Sequence, residues 1–78
     1  MRAHFYSPPS VDQLADLKPS EHELETLDAQ VAALAGAPRM GFRLPFFNPH
    51  NLFLYDVGRF HLIYKFDDSE LEVVTIYI

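Results

Sequence analysis

Residues 59–66 read Arg-Phe-His-Leu-Ile-Tyr-Lys-Phe, an alternation of two side-chain sets. Successive residues of a β-strand face opposite sides. Phe60, Leu62, Tyr64 and Phe66 therefore point one way, and Arg59, His61, Ile63 and Lys65 the other. A strand apolar on one face and mixed on the other belongs in an antiparallel sheet that is covered on one side. The cover has to come from the rest of the chain.

Just upstream, Asp56-Val57-Gly58 reads as a three-residue hairpin loop with glycine at the left-handed position, which makes residues 52–55 the pairing strand. Asn48-Pro49-His50-Asn51 is a turn, and residues 42–47 form a strand weakened by Pro45, which suits an edge or a bulge. Downstream, Asp67-Asp68-Ser69 turns the chain into a last strand at residues 70–78. Among Phe42, Phe46, Phe47 and Phe53 most are expected in the core of so small a protein. Consecutive strand residues cannot share one core, so Phe46 or Phe47 is a candidate anchor for a partner.

The cover lies in the N-terminal half. Residues 2–6 form a short strand stopped by Ser7-Pro8-Pro9. Ser10 and Gln13 then make a capping box for a helix with Val11, Leu14 and Leu17 on its apolar stripe, and Lys18-Pro19 ends it. Ser20 and Glu23 cap a second helix whose Leu24, Leu27, Val31 and Leu34 share a face, and Gly36 closes it as a left-handed cap. Two helices joined by two residues are expected to pack as a hairpin. The sequence thus predicts one α+β domain over residues 1–78, of order β-α-α-β-β-β, with a helical hairpin on a mainly antiparallel sheet.

Composition narrows the chemistry. The 78 residues contain no cysteine, which excludes a disulfide framework and thiol catalysis and fits a cytoplasmic domain. No apolar run approaches the roughly 20 residues that cross a bilayer, so no membrane partner is expected. The opening MRAHFYSPPS has no apolar core of a signal peptide. The net charge of −5 argues against free nucleic-acid binding. That charge is uneven. Residues 1–35 set six acids against Arg2 and Lys18 (−4), and residues 67–78 carry four acids and no base (−4). Residues 36–66 set Arg39, Arg43, Arg59 and Lys65 against Asp56 alone (+3).

His4, His22, His50 and His61 are dispersed and lack the spacing of a helical metal site. Asp67-Asp68-Ser69-Glu70 lacks the glycine and ligand spacing of a calcium loop. Glu21, Glu23, Glu25 and Asp28 read as the solvated face of a helix. No serine has the setting of a hydrolase nucleophile, and no cofactor is implied.

Three segments resemble the RelE/ParE superfamily of bacterial type II toxin–antitoxin toxins. Leu34-Ala35-Gly36-Ala37-Pro38-Arg39-Met40-Gly41 is similar to the family's "Leu-x-x-x-Pro-Arg-x-Gly" turn. Val57-Gly58-Arg59-Phe60-His61-Leu62-Ile63-Tyr64 is similar to its "Val-Gly-Arg-Tyr-x-x-x-Tyr" strand, and Asp67-Asp68 with Leu71-Glu72-Val73-Val74 to its last hairpin. The resemblance implies a helical hairpin on a sheet, a cognate antitoxin, and either gyrase or the ribosome as target; the Phe46 or Phe47 anchor would fit an antitoxin helix or strand, or a second copy of this chain. The first helix is shorter than the ParE-like norm.

The family's RNA-cutting members place lysines where this chain has Leu52 and Leu54, and an arginine at the position of His61. The basic and aromatic groups beyond their last core strand have no counterpart before Ile78. A ribonuclease would have to draw on His61, Arg59, Arg43 and Tyr64 or Tyr77, without the family's cations to stabilise the phosphorane. The ParE-like branch fits better, because Arg39, Arg59 and the Gly-Arg-aromatic spacing are kept. The resemblance therefore implies a divergent toxin-like protein that binds its target, with Arg39, Arg59, Lys65, Phe46 and Phe47 as partner-binding candidates.

Overall fold

The computed structural model describes residues 2–45 and 47–78. Strand β1 (Ala3–Tyr6) is followed by helices α1 (Pro8–Leu17) and α2 (Glu21–Gly36) and a 3-10 turn at Pro38–Met40. Strands β2 (Phe42–Arg43), β3 (Phe53–Val57), β4 (Phe60–Phe66) and β5 (Glu70–Tyr77) complete the chain. They form one sheet of order β1-β5-β4-β3-β2. Only the β1–β5 pair is parallel; the others are antiparallel. The fold is α+β, two helices against a mostly antiparallel sheet. A parallel pair needs a long crossover, and here everything from α1 to β4 lies between its two strands.

The β4 alternation holds: Phe60, Leu62 and Tyr64 are buried on the helix side. Leu27, Val31 and Leu34 of α2 meet them there with Phe53, Leu71 and Val73, while Leu14 and Leu17 of α1 pack at the margin. Each helix packs more on the sheet than on the other, α1 along β5 and α2 across β1, β3 and β5. Val11 and Leu24, placed on the apolar stripes by their spacing, are exposed at 52% and 42%.

The capping box Ser20–Glu23 is present with both bonds, at 3.1 and 2.9 Å. The first helix begins earlier than expected. Ser7 is its N-cap and accepts from the Ser10 amide at 3.2 Å, while Pro8 and Pro9 occupy the first two helical positions. Proline is favoured there because its missing amide hydrogen would go unbonded anyway, so the Pro-Pro pair starts the helix and does not block it. Ser10 is buried in the first turn. Gly36 stays helical and Ala37 is the C-cap, because Pro38 opens the next turn.

Two strand boundaries also shift. The β3–β4 loop has two residues, Gly58 and Arg59, since Val57 pairs with Phe60. Gly58 has φ 58°, a conformation that favours glycine. Strand β2 is only Phe42–Arg43, and Asn48 then closes the turn with its amide bonded to Leu52 N and O at 2.8 and 2.9 Å. In β5 the pairing slips, with Ile63 opposite Thr75 but Tyr64 opposite Val73. This bulge moves the core positions from Leu71 and Val73 to Ile76.

Side chains of the N-terminal region seal the part of β5 that β1 does not reach. Ser7 donates from its amide to Val73 O and from its hydroxyl to Val74 O, both at 2.9 Å. The Gln13 side-chain oxygen accepts from Thr75 Oγ1 at 2.7 Å and from Ile76 N at 2.8 Å. Gln13 therefore serves the sheet and takes no part in a capping box.

Candidate functional site

The face of the sheet opposite the helices is where β3, β4 and β5 present functional groups side by side. Directly opposed residues share a face, and the register aligns Asp56 with His61 and His61 with Tyr77 across three adjacent strands. His61 Nδ1 lies 2.6 Å from Asp56 Oδ1. An ionised carboxylate only accepts, so the imidazole donates from Nδ1 and leaves Nε2 as its free nitrogen. The Tyr77 ring lies against the imidazole with centroids 5.0 Å apart.

The next row is apolar on β2, β3 and β4 and ends at Thr75 on β5. Ile63 opposes Leu54, and Leu54 opposes Phe42, whose ring is 63% exposed. Beyond it Lys65 Nζ pairs with Glu72 Oε1 at 3.5 Å, and Phe5 stands opposite Glu72 on the neighbouring strand. The face is thus an apolar band between a His–Asp pair and a Lys–Glu pair, whose four groups carry a net charge of −1 when the imidazole is neutral.

The other candidates from the sequence are scattered. Arg59 lies in the loop, not in β4, and turns to the helix side. Its Nε binds Glu23 Oε2 at 2.6 Å, its second nitrogen reaches Leu17 O at 3.2 Å, and the guanidinium lies over the Phe60 ring. The guanidinium and the Ser20 amide together hold the Glu23 carboxyl down at about 2, against an ordinary 4.5, and Glu23 in turn raises the pKa of Arg59. Arg59 joins the β3–β4 hairpin to the junction of the two helices and is available neither for catalysis nor for a partner on the open face.

Tyr64 is in the core. Its hydroxyl donates to Pro38 O at 2.6 Å and accepts from Gly41 N at 3.1 Å, and burial raises its pKa. It is an architectural residue, not a proton donor for chemistry. Arg43 Nε bonds Asn51 Oδ1 at 2.7 Å, on the β2 edge. Arg39 sits on the 3-10 turn, with its guanidinium 5.7 Å from the Phe66 centroid at one end of the sheet. Of Phe42, Phe47 and Phe53 only Phe53 is buried, and Phe47 is 94% exposed; the candidate anchor Phe46 lies outside the described residues.

His61 and Tyr77 alone of the five catalytic candidates therefore come together. Sequence reasoning missed Asp56, because a three-residue loop would have removed it from the ladder; the true two-residue loop pairs it with His61. It also missed Arg2, whose guanidinium lies 5.5 Å from the same Phe66 ring as Arg39. A lone arginine ahead of a short strand gives no signal of that meeting.

Among the described residues no three His, Asp or Glu side chains gather to hold a metal ion, and no helix is long and apolar enough to cross a membrane. The site as built can hold an apolar surface and offer one imidazole nitrogen beside it. No protein-family model matches this chain, and no curated protein matches it in sequence.

Proposed function

We propose that this protein is a toxin-like component of a bacterial type II toxin–antitoxin module, acting by binding a macromolecular target of the gyrase type and neutralised by a cognate antitoxin. The proposal joins the motif resemblance to one observation: the open face of the sheet carries Phe42, Leu54 and Ile63 in a row where phosphate chemistry would need cations. Its lysine, Lys65, is already paired with Glu72. Exposed apolar side chains rimmed by polar ones suit a protein partner. The function entails a cytoplasmic protein.

Expression with and without the adjacent gene tests this. Growth inhibition that is relieved by the neighbour, and lost in a folded Phe42→Ser, Ile63→Asp variant, is the expected result. Unimpaired growth with stable capture of a partner would instead favour a non-toxic interaction module that keeps the fold.

A second reading, a residual ribosome-dependent ribonuclease, draws on the 2.6 Å contact of Asp56 with His61, which leaves Nε2 free to move a proton. It requires messenger cleavage that disappears in His61→Ala. Cleavage unchanged in that variant would remove the site.

A further inference from the structure

At the end of the sheet away from the Asp56–His61 pair, an open cleft of about 500 Å3 is lined by Arg2, Arg39, Met40, Asn51, Phe66 and the Asp67-Asp68 turn. Two guanidiniums from distant parts of the chain meet there over one ring, at 5.5 and 5.7 Å from its centroid. In an acidic protein this convergence is not a matter of composition.

The two arginines are differently held. Arg2 donates from Nε to Asp67 O at 2.5 Å and from a terminal nitrogen to Ala35 O at 3.4 Å. Backbone carbonyls fix its position; among the described residues no carboxylate makes a direct ion pair with it, although the Asp67 carboxylate lies near enough to feel its charge. Arg39 makes no hydrogen bond or ion pair among the described residues, and its donor fork is open. The acids that could neutralise the pair are partly engaged. Asp67 Oδ1 accepts from Ser69 N, Ser69 Oγ and Glu70 N at 2.8 to 3.0 Å, and the two amides foremost lower its pKa.

We propose that this cleft receives a single carboxylate side chain of a peptide segment, gripped by Arg39 and Arg2, with an apolar neighbour of that residue against Met40 and Phe66. A planar guanidinium fork matches a carboxylate in two parallel hydrogen bonds. The aspartates of the turn limit the charge that the cleft accepts. One carboxylate meets two cations, whereas a nucleic-acid backbone would bring a row of phosphates past Asp67 and Asp68 on a molecule of net charge −5. The cleft stands on its own geometry and does not depend on the toxin-like function.

The test is a titration of the 15N-labelled protein with acetyl-Leu-Glu-Leu-amide and with its Gln counterpart, followed through the amides of Asn51, Phe66 and Asp68. Saturable shifts with the Glu peptide, and binding about tenfold weaker for the Gln peptide and for Arg39→Gln, are expected. Arg43→Gln, outside the cleft, should bind as the parent does. Equal response to the two peptides, or no saturable response, overturns the proposal. So does displacement of the Glu peptide by inorganic phosphate or oligothymidylate at a lower concentration than free glutarate requires.

Discussion

The hydroxyl of Tyr64 and the carbonyl of Pro38 are 2.6 Å apart, so the central strand is bonded to the turn that follows α2. The same hydroxyl accepts from Gly41 N and occupies the space where a Cβ on residue 41 would stand. Tyr64→Phe leaves Pro38 O and Gly41 N without partners and is expected to cost about 1–3 kcal/mol of stability in urea unfolding. Gly41→Ala pushes the ring out of place from the other side, at about 1–3 kcal/mol.

Glu23 and Arg59 give an acid-dependent term. The folded-state pKa of Glu23 is about 2 against an ordinary 4.5, so its contribution is complete above the ordinary value and is lost as pH falls towards 2. Asp67 is lowered too, so the parent protein loses stability there from more than one group. In Glu23→Gln the curve of unfolding midpoint against pH should be flatter than that of the parent over this window. Parallel curves would remove Glu23 from the effect.

Ser7 caps α1 and also bonds β5, whereas the Ser10 hydroxyl, among the described residues, bonds Ser7 O alone, at 2.8 Å. Ser7→Ala therefore should cost more than the usual cap loss of about 1 kcal/mol, because Val74 O loses its donor as well. Ser10→Ala should cost less than Ser7→Ala. Chemical unfolding midpoints of the two variants check the order.

Asp56 holds His61 in one tautomer. Side-chain 15N shifts at a pH where the ring is neutral should show hydrogen on Nδ1 in the parent protein. In Asp56→Ala the population should move towards the Nε2–H form that is usual for a free imidazole. Unchanged shifts would mean that the carboxylate does not set the proton's place.

The features legible in the sequence were those decided by near neighbours. The β4 alternation, the Ser20–Glu23 box and the need for glycine at position 58 each depend on a few consecutive residues, and the structure has all three. Pro8-Pro9 misled because proline both stops a strand and starts a helix; only the bonding of Ser7 to Val73 and Val74 decides between them. Arg59 was given the wrong side because one residue of loop length sets which residues enter the ladder. The site depended on register: Asp56, His61 and Tyr77 meet only through two strand pairings, and the second carries a bulge that no local pattern announces.

The parallel pairing of Ala3–Tyr6 with the start of β5 has a kinetic consequence. The strand second in space is last in sequence, so a chain growing from its N-terminus holds β1 and the Gln13 side chain without partners until β5 has emerged. Closing so long a loop precedes any return from the contacts it makes. The sheet is then completed in one concerted step once β5 is available, and a nascent chain that stops short of β5 presents unsheathed strand edges to whatever chaperone attends it.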